Sequence, residues 1–293
     1  MNFKLWIQRR FGDDAFDWID RSYATDWLFV TLIWLLSFVV SSTPVFERDF
    51  SPHDPLISHP HKPNQIGSLL NNTIALYVPI LLILIWGTIR RSLREIHHGA
   101  IAVFASRGLA RLITEFVKHR VGRLRPDFLA RCKWSKALGE CTGKIDKILD
   151  GRKSFPSGHS STAFSGMVVL SLWLAGQTAA WCFHAPKSAA SWRSSRMGAF
   201  ALTLLPLFWA TYVALTRVED YRHHKEDVIV GSLIGILTAS ICYLIFWPNP
   251  FSVENHAQQA SGRPRSLYSS TNNGRPNNTE FELTRLEDEI DNV

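Results

Sequence analysis

The sequence predicts an all-α integral membrane protein built as a bundle of six transmembrane helices. Long apolar runs alternate with charged segments over much of the 293 residues. An apolar run of about 18 residues or more is long enough to cross a bilayer as a helix. Tryptophans near the ends of these runs are typical of the interfacial aromatic belt of a membrane protein: Trp27, Trp86, Trp181 and Trp247.

The third of the predicted spans is the weakest, because it contains Arg107, Arg111 and Glu115. These residues recur every four positions and therefore share one helix face. A surface amphipathic helix is the alternative, but ionisable groups in a span usually face the bundle interior, and we favour such a span. The six spans lie at roughly 26–42, 73–89, 99–117, 160–183, 197–215 and 228–247.

The six-span domain, residues 25–247, is flanked by two segments of different composition. Residues 1–24 mix aromatic and basic side chains, which predicts a cytoplasmic arm that is either an interfacial helix or only a charged anchor. This arm lacks the apolar core of a cleavable signal peptide. Residues 248–293 are rich in Ser, Asn, Gly, Pro and charge, and we expect a disordered cytoplasmic tail.

Positive charges in the short loops set the predicted topology. Loops 90–98 and 184–196 each contain three Lys or Arg, and the N-terminal arm contains four. The positive-inside rule places them and both termini in the cytoplasm. Loops 118–158 and 216–227 then lie together at the lumenal or external face. The first of these carries eleven Lys and Arg, an excess that phosphate binding would explain.

The net charge of +7 limits the classes of binding partner that we expect. No basic helix or array of interleaved aromatic residues accompanies the charge, so nucleic acid is not expected. Anionic lipid or phosphate is the better partner, together with the bilayer itself. The loop histidines His53, His59 and His61 lie among prolines without a partner cluster, and we expect solvated side chains rather than metal ligands.

Three polar motifs meet at the predicted external face: 118–126 (KHRVGRLRP), 155–162 (FPSGHSST) and 216–227 (TRVEDYRHHKED). In the second motif, Ser157 and Gly158 precede a helix, whose free N–H groups and dipole favour an anion. The alternative is that Ser157 is an ordinary N-cap. His159 in the same turn favours chemistry, because it places a proton donor beside the anion.

The third motif combines an imidazole with an aspartate that can orient it. His223 and Asp227 are four residues apart, and Arg217 adds a guanidinium suited to phosphate. Taken alone, this motif is also compatible with a polar loop between two membrane helices.

Together the three motifs resemble the signature of the type-2 phosphatidic acid phosphatase and haloperoxidase superfamily over roughly residues 70–250. Arg125-Pro126-Asp127-Phe128 followed by Arg131-Cys132 is most similar to the fungal diacylglycerol pyrophosphate phosphatase branch of the lipid phosphate phosphatases. Thr216 departs from the usual serine, but it keeps the hydroxyl.

The resemblance implies a role for each motif residue. His223 would be the nucleophile that forms a phosphohistidine, Asp227 would orient it, and His159 would be the general acid. No metal or other cofactor is expected, and the enzyme would be magnesium-independent. The phosphate-binding residues would be Lys118, Arg125, Ser157, Gly158 and Arg217.

The expected substrates are diacylglycerol pyrophosphate, phosphatidate and lysophosphatidate. A polyprenyl or dolichyl diphosphate phosphatase is the alternative within enzymes; a transporter or a catalytically inactive lipid-binding protein is the alternative from another class. Among membranes, the resemblance favours the vacuole over the endoplasmic reticulum and the plasma membrane. Cys132 and Cys141 either form a disulfide in a lumenal loop or remain free thiols. The oligomeric state is not encoded in any pattern that we recognise.

Overall fold

The computed structural model describes residues 3–12, 15–184, 195–253 and 262–268, and it is almost entirely helical. A short helix α1 (Phe3–Phe11) precedes the long helices α2 (Arg21–Ser41), α3 (Ser68–Ile89) and α4 (Leu93–Val121). Helix α5 (Phe128–Cys132), the strands β1 (Trp134–Ser135) and β2 (Glu140–Cys141), and helix α6 (Ile145–Gly151) form the large loop. Three more long helices follow: α7 (Gly158–Thr178), α8 (Arg196–Glu219) and α9 (Lys225–Phe246).

Each predicted span overlaps one of the six long helices, but the span predicted over 160–183 is too long, because α7 ends at Thr178. In the described part of the chain, four of these, α2, α3, α8 and α9, are long and apolar enough to cross a membrane. Their outer faces expose large apolar side chains such as Phe29, Leu81, Phe208 and Leu237. Such continuous apolar surface is unfavourable in water and suits the hydrocarbon of a bilayer. The chain is therefore an integral membrane protein.

The remaining two long helices, α4 and α7, form the centre of the bundle. Helix α7 packs against α3, α4, α8 and α9, and α4 also packs against α2. Arg107 on α4 is 4% exposed, so the charged stripe faces the bundle interior, as we favoured from the sequence. Because these helices are covered by protein, they need less apolar surface than the outer four.

The segment between α2 and α3 covers the end of the bundle where the motifs meet. Its backbone N–H groups at Phe46 and His59 donate to the carbonyl oxygens of His119 and Pro126. The expectation of solvated histidines here is only partly right. His61 is exposed, yet its Nδ1 lies 2.6 Å from Oδ2 of the buried Asp127. His59 stacks on Tyr221, with the ring centroids 4.4 Å apart.

A disulfide between Cys132 and Cys141 cross-links the large loop. This is one of the two alternatives that the sequence left open. Next to it, β1 and β2 pair antiparallel, with Trp134 opposite Cys141. Phe128 and Cys132 are fully buried in a small apolar cluster with Leu124 and Ile57. The loop is therefore a folded unit that can hold its arginines in fixed positions.

Residues 262–268, which belong to the predicted tail, contact the bundle. Arg265 donates its backbone N–H to Phe246 O, and the Tyr268 hydroxyl lies 2.9 Å from Oδ2 of Asp26. Gly262 O accepts a hydrogen bond from the Gln177 side chain. Polar composition suggested disorder, but a tyrosine and several polar groups find partners on the bundle. Residues 254–261 and 269–293 lie outside the described part of the chain.

Candidate active site

The three motifs come together around one cavity of about 250 Å³ at the end of the bundle. Helix packing explains why the second and third motifs meet. Ser157 N donates to Asp227 O at 2.8 Å. Gly231, one turn further along α9, leaves no space for a side chain, because a Cβ atom there would collide with Ser157 O. Of the predicted site residues, the cavity is lined by Lys118, Arg125, Gly158, His159 and His223.

His223 lies in the loop between α8 and α9, and its side chain is almost fully buried. Its Nδ1 is 2.7 Å from the carbonyl oxygen of Ser154. A carbonyl oxygen can only accept a hydrogen bond, so Nδ1 carries the proton. In the neutral ring the lone pair then lies on Nε2, which bonds to no other residue in the described part of the chain. The imidazole of His223 therefore has one nitrogen, Nδ1, that is held by a hydrogen bond and one nitrogen, Nε2, that is free to react.

The electrostatic surroundings of His223 favour the neutral ring. Burial lowers the pKa of His223 to about 4; Asp227 opposes this effect, and the positive charges of Arg125 and Lys118 reinforce it. A neutral imidazole is the nucleophilic form. At neutral pH the side chain therefore needs no deprotonation before it reacts.

Asp227 is fully buried behind His223 and holds the local structure together. Its Oδ2 accepts hydrogen bonds from Ser154 Oγ at 2.5 Å and from His224 N at 3.0 Å, and Oδ1 accepts one from Arg123 Nη1 at 2.7 Å. The distance from Oδ2 to His223 Nδ1 is 3.7 Å, too long for a hydrogen bond. In this structure Asp227 acts on His223 through its charge and through Ser154, whose carbonyl is the direct partner of the ring.

His159 is the second residue of helix α7 and lines the same cavity. Its Nε2 is 3.4 Å from Ser68 Oγ, and its backbone carbonyl accepts a hydrogen bond from Asn71 Nδ2 at 3.0 Å. Ser157 is the N-cap of α7 and accepts from Ser160 N. The capping role that the sequence offered as an alternative is therefore present, alongside a helix N-terminus that opens into the cavity.

Two cations of the first motif, Lys118 and Arg125, line the same cavity. Lys118 Nζ lies against Gly158, where a Cβ atom would stand only 2.7 Å from it, so a side chain at position 158 would displace the lysine. Lys118 also pairs with Glu115 at 3.1 Å. Arg125 donates to Asp150 through Nε, at 2.9 Å to the backbone oxygen, and through Nη2, at 3.0 Å to the carboxylate. Two positive charges thus border the space between His159 and His223.

Arg217 is placed differently from the other predicted phosphate ligands. It is fully buried and pairs with Asp220 Oδ2 at 3.0 Å, while Nη1 donates to Asn64 Oδ1 at 3.2 Å. It is not among the residues that line the cavity. In the conformation described here, Arg217 therefore ties the α8 end to the covering segment, and a direct role at phosphate stays a prediction.

A buried ionic network that the sequence did not predict supports Arg125. Arg131 donates to Asp127 Oδ1 at 2.8 Å and to Asp150 Oδ2 at 2.5 Å. Burial opposes ionisation of Asp150, but Arg125 and Arg131 outweigh it, so the pKa of Asp150 lies below its ordinary value. Ser154, Arg123 and the contacts of Asp150 could not be found from spacing, because their partners lie far away in the sequence.

The site combines a buried imidazole that has one available nitrogen with a cavity lined by cations. In a helical membrane protein, this arrangement is expected of a phosphoryl-transfer enzyme. The family described as the PAP2 superfamily matches residues 99–251. The chain belongs to this superfamily and is a phosphoric-ester hydrolase of lipid metabolism. The sequence resemblance is thereby confirmed.

Curated relatives agree with this membership. The chain is 32% identical over 253 residues to "Lipid phosphate phosphatase 2" of Arabidopsis thaliana, covering 83% of each chain. It is 37% identical over 231 residues to "Diacylglycerol pyrophosphate phosphatase 1" of Saccharomyces cerevisiae, covering 73% of this chain and 76% of the relative. With "Probable diacylglycerol pyrophosphate phosphatase 1" of Schizosaccharomyces pombe the identity is 34% over 215 residues, or 69% and 73% of the chains. No solved structure matches.

Proposed function

We propose that this protein is a metal-independent lipid phosphate phosphatase that hydrolyses diacylglycerol pyrophosphate to phosphatidate and phosphatidate to diacylglycerol. Lysophosphatidate is a further substrate of the same kind. The observation that carries the proposal is the His223 ring, whose Nδ1 is committed to Ser154 O while Nε2 is available at the cavity. The relatives named for lipid phosphates and for diacylglycerol pyrophosphate support this choice of substrate.

In the first step, His223 Nε2 attacks the terminal phosphorus. A P–N bond forms as the P–O bond to the leaving group breaks, and the electron pair of that bond stays on the leaving oxygen. His159, as the imidazolium, gives its proton to this oxygen. Burial and the neighbouring positive charges lower the pKa of His159 to about 3, and in this scheme the negative charge of the bound phosphate opposes them and favours the imidazolium. Lys118, Arg125 and the N–H group of Gly158 stabilise the phosphoryl oxygens; Ser157, whose own N–H donates to Asp227 O, positions this turn, and Arg217 would join them by leaving Asp220.

In the second step, water hydrolyses the phosphohistidine. His159, now neutral, removes a proton from the water as its oxygen attacks phosphorus, and the P–N bond electrons return to His223 Nε2. Inorganic phosphate is released, and both histidines return to their starting states. Charge neutralisation in this scheme comes from lysine and arginine side chains, so no metal is required.

The site would open at the lumenal or external face of a six-span bundle, with both termini in the cytoplasm and the vacuolar membrane as the favoured location. The supporting arguments are the positive-inside pattern and the position of the three motifs at one end of the helices. A lipid whose head group lies at the membrane surface can reach a cavity at this depth.

The test is phosphate release in detergent micelles containing EDTA, with diacylglycerol pyrophosphate, phosphatidate and a polyprenyl diphosphate as separate substrates. We expect release from the first two by the wild type and a loss of at least about 10³-fold in His223→Ala. His53→Ala, in an exposed part of the covering segment, is the matched control and should keep full activity.

Other results would overturn the proposal in different ways. Preference for the polyprenyl diphosphate would favour the alternative enzyme. Turnover that EDTA abolishes and magnesium restores would contradict metal independence. If the wild type released no phosphate from any of the three lipids, the phosphatase assignment would fail, and transport or lipid binding without catalysis would take its place.

A further inference from the structure

The active-site cavity continues past the reacting histidines along helices α3 and α4. One part is bordered by His223, Arg125 and Lys118, and the other by Arg107, Arg111 and Asn72. The proposed chemistry uses only the first part. Two additional guanidinium groups at the same cavity therefore need an explanation of their own.

These two arginines are unusual because neither forms a salt bridge within the described residues; Glu115, one turn along α4, acts on Arg111 only at longer range. Arg107 is 4% exposed and donates to Asn72 Oδ1 at 2.8 Å and to Ser165 Oγ at 3.4 Å, while its buried Nε has no partner. The buried Nε of Arg111 also has no partner, and its guanidinium lies 5.1 Å from the ring centroid of Phe38.

The other cations at the cavity and beside it differ in this respect. Lys118 pairs with Glu115, Arg125 with Asp150 and Arg217 with Asp220. A buried charge without a counter-charge is costly, especially inside a membrane protein. An anionic ligand that enters the cavity would remove this cost for Arg107 and Arg111.

We infer that Arg107 and Arg111 form a second anion subsite, which binds the inner phosphate of a lipid diphosphate while the terminal phosphate reacts at His223. This inference rests on the proposed function and makes it more specific, because it names diphosphates as the substrates that the cavity is built to prefer. Arg107 and Arg111 are then specificity-determining residues.

The position of the subsite matches the leaving-group side of the reaction. Asn71 donates to the backbone carbonyl of His159, and its neighbour Asn72 accepts from Arg107. The arginines are thus linked through α3 to the histidine that protonates the leaving oxygen. In a diphosphate the leaving group is itself a phosphate, and its negative charge would develop beside these arginines.

The spacing on α4 allows both phosphates to be held at once. Lys118 and Arg111 are two helical turns apart, about 10 Å along the axis, and the Lys118 side chain leans toward Arg111, because side chains on a helix point back toward its N-terminus. Glu115 lies between them, but its carboxylate pairs with Lys118 at 3.1 Å and is 4.0 Å from His119 Nδ1. The arginine end of the cavity therefore remains cationic.

Arg111→Gln is the decisive variant, because Arg111 forms no hydrogen bond within the described residues and its removal leaves no partner unpaired. We expect kcat/KM for diacylglycerol pyrophosphate to fall by about 10- to 100-fold, as for the loss of a charged hydrogen bond. For phosphatidate, which has no inner phosphate, the change should stay below about threefold. Arg111→Lys should restore part of the lost preference, since it keeps the charge.

Arg120→Gln is the matched control, since Arg120 lies exposed on the same helix. Binding is measured separately by calorimetry in detergent, with methylenediphosphonate and inorganic phosphate as probes. The wild type should bind the diphosphonate more tightly, and Arg111→Gln should lose this advantage while it binds phosphate as before.

Equal losses on both lipids in Arg111→Gln, or no loss on either, would overturn the subsite. So would a diphosphonate affinity that the substitution leaves unchanged. A wild type that bound methylenediphosphonate through Arg111 but released no phosphate from any lipid would keep the subsite and reject the phosphatase. The two proposals therefore fail in distinguishable ways.

Discussion

The chain contains two adjacent histidine pairs at opposite ends of the bundle, and they differ in how their ring nitrogens are used. His97 and His98 lie near the start of α4. His98 is fully buried; its Nδ1 is 2.9 Å from Arg94 O and its Nε2 is 3.4 Å from the Tyr23 hydroxyl. His97 accepts a hydrogen bond from Trp27 at 2.9 Å. The rings pack among the aromatic side chains of Trp18, Tyr23, Phe246 and Trp247.

At the other end, His223 commits only Nδ1, to Ser154 O, and lies at a cavity lined by Lys118 and Arg125. The same His-His dipeptide therefore occurs in two different environments, in Ile96-His97-His98-Gly99 and in Arg222-His223-His224-Lys225. An available ring nitrogen at a cation-lined cavity distinguishes the pair that we propose to be reactive. Packed aromatic neighbours and satisfied nitrogens mark the structural one.

Among the substitutions that test this comparison, we expect the largest loss of activity at His159, the second histidine at the cavity. His159→Ala should reduce phosphatidate hydrolysis by about 10³-fold, within the usual range for loss of a general acid. The loss with diacylglycerol pyrophosphate should be clearly smaller, because a leaving phosphate oxygen needs a proton less than an alkoxide does. Steady-state kcat/KM for both lipids checks this. Equal losses on the two lipids would contradict a proton-donor role.

The next effect is on pH dependence. Because burial lowers the pKa of His223 to about 4, the ring stays neutral and nucleophilic down to that pH, and the acid limb of kcat/KM should lie near pH 4 rather than near 6.5. Asp227 raises the pKa of His223, so Asp227→Asn should move this limb to lower pH while it reduces the rate. If the acid limb of kcat/KM stays at the same pH in Asp227→Asn, the limb reports ionisation of the substrate and not of His223.

The sequence predicted the fold better than the site. All six predicted spans overlap long helices, because extended apolar runs carry their own signal. The ends are less accurate: α7 ends at Thr178, before the predicted residue 183, and α8 extends to Glu219, beyond the apolar run. The site residues came from motif spacing and resemblance. Ser154, which contributes a backbone carbonyl, could not be recognised, since any residue has one. Contacts such as Arg123 to Asp227 connect residues 104 positions apart and arise only from packing.

A smaller effect, on stability alone, is expected at the other end of the bundle. His98→Ala removes a buried ring and leaves its hydrogen-bond partners unpaired, which should cost about 2–3 kcal/mol. The apparent Tm in detergent should fall by roughly 5–10 °C, while kcat below that temperature changes less than about twofold. His53→Ala serves as the exposed control. A large loss of kcat in folded His98→Ala would show that the aromatic cluster takes part in the chemistry.

The smallest effect is expected for His224, the neighbour of the proposed nucleophile His223. Its side chain is directed to Leu56 O at 3.2 Å and to Asp227 Oδ2 at 3.3 Å, and it does not line the active-site cavity. In His224→Ala, Asp227 keeps its bonds from Ser154, Arg123 and the backbone N–H of residue 224. We therefore expect a loss of at most about threefold in kcat/KM. Trapping of radiolabelled phosphate on the denatured enzyme should label His224→Ala and not His223→Ala; the reverse pattern would assign the covalent role to His224.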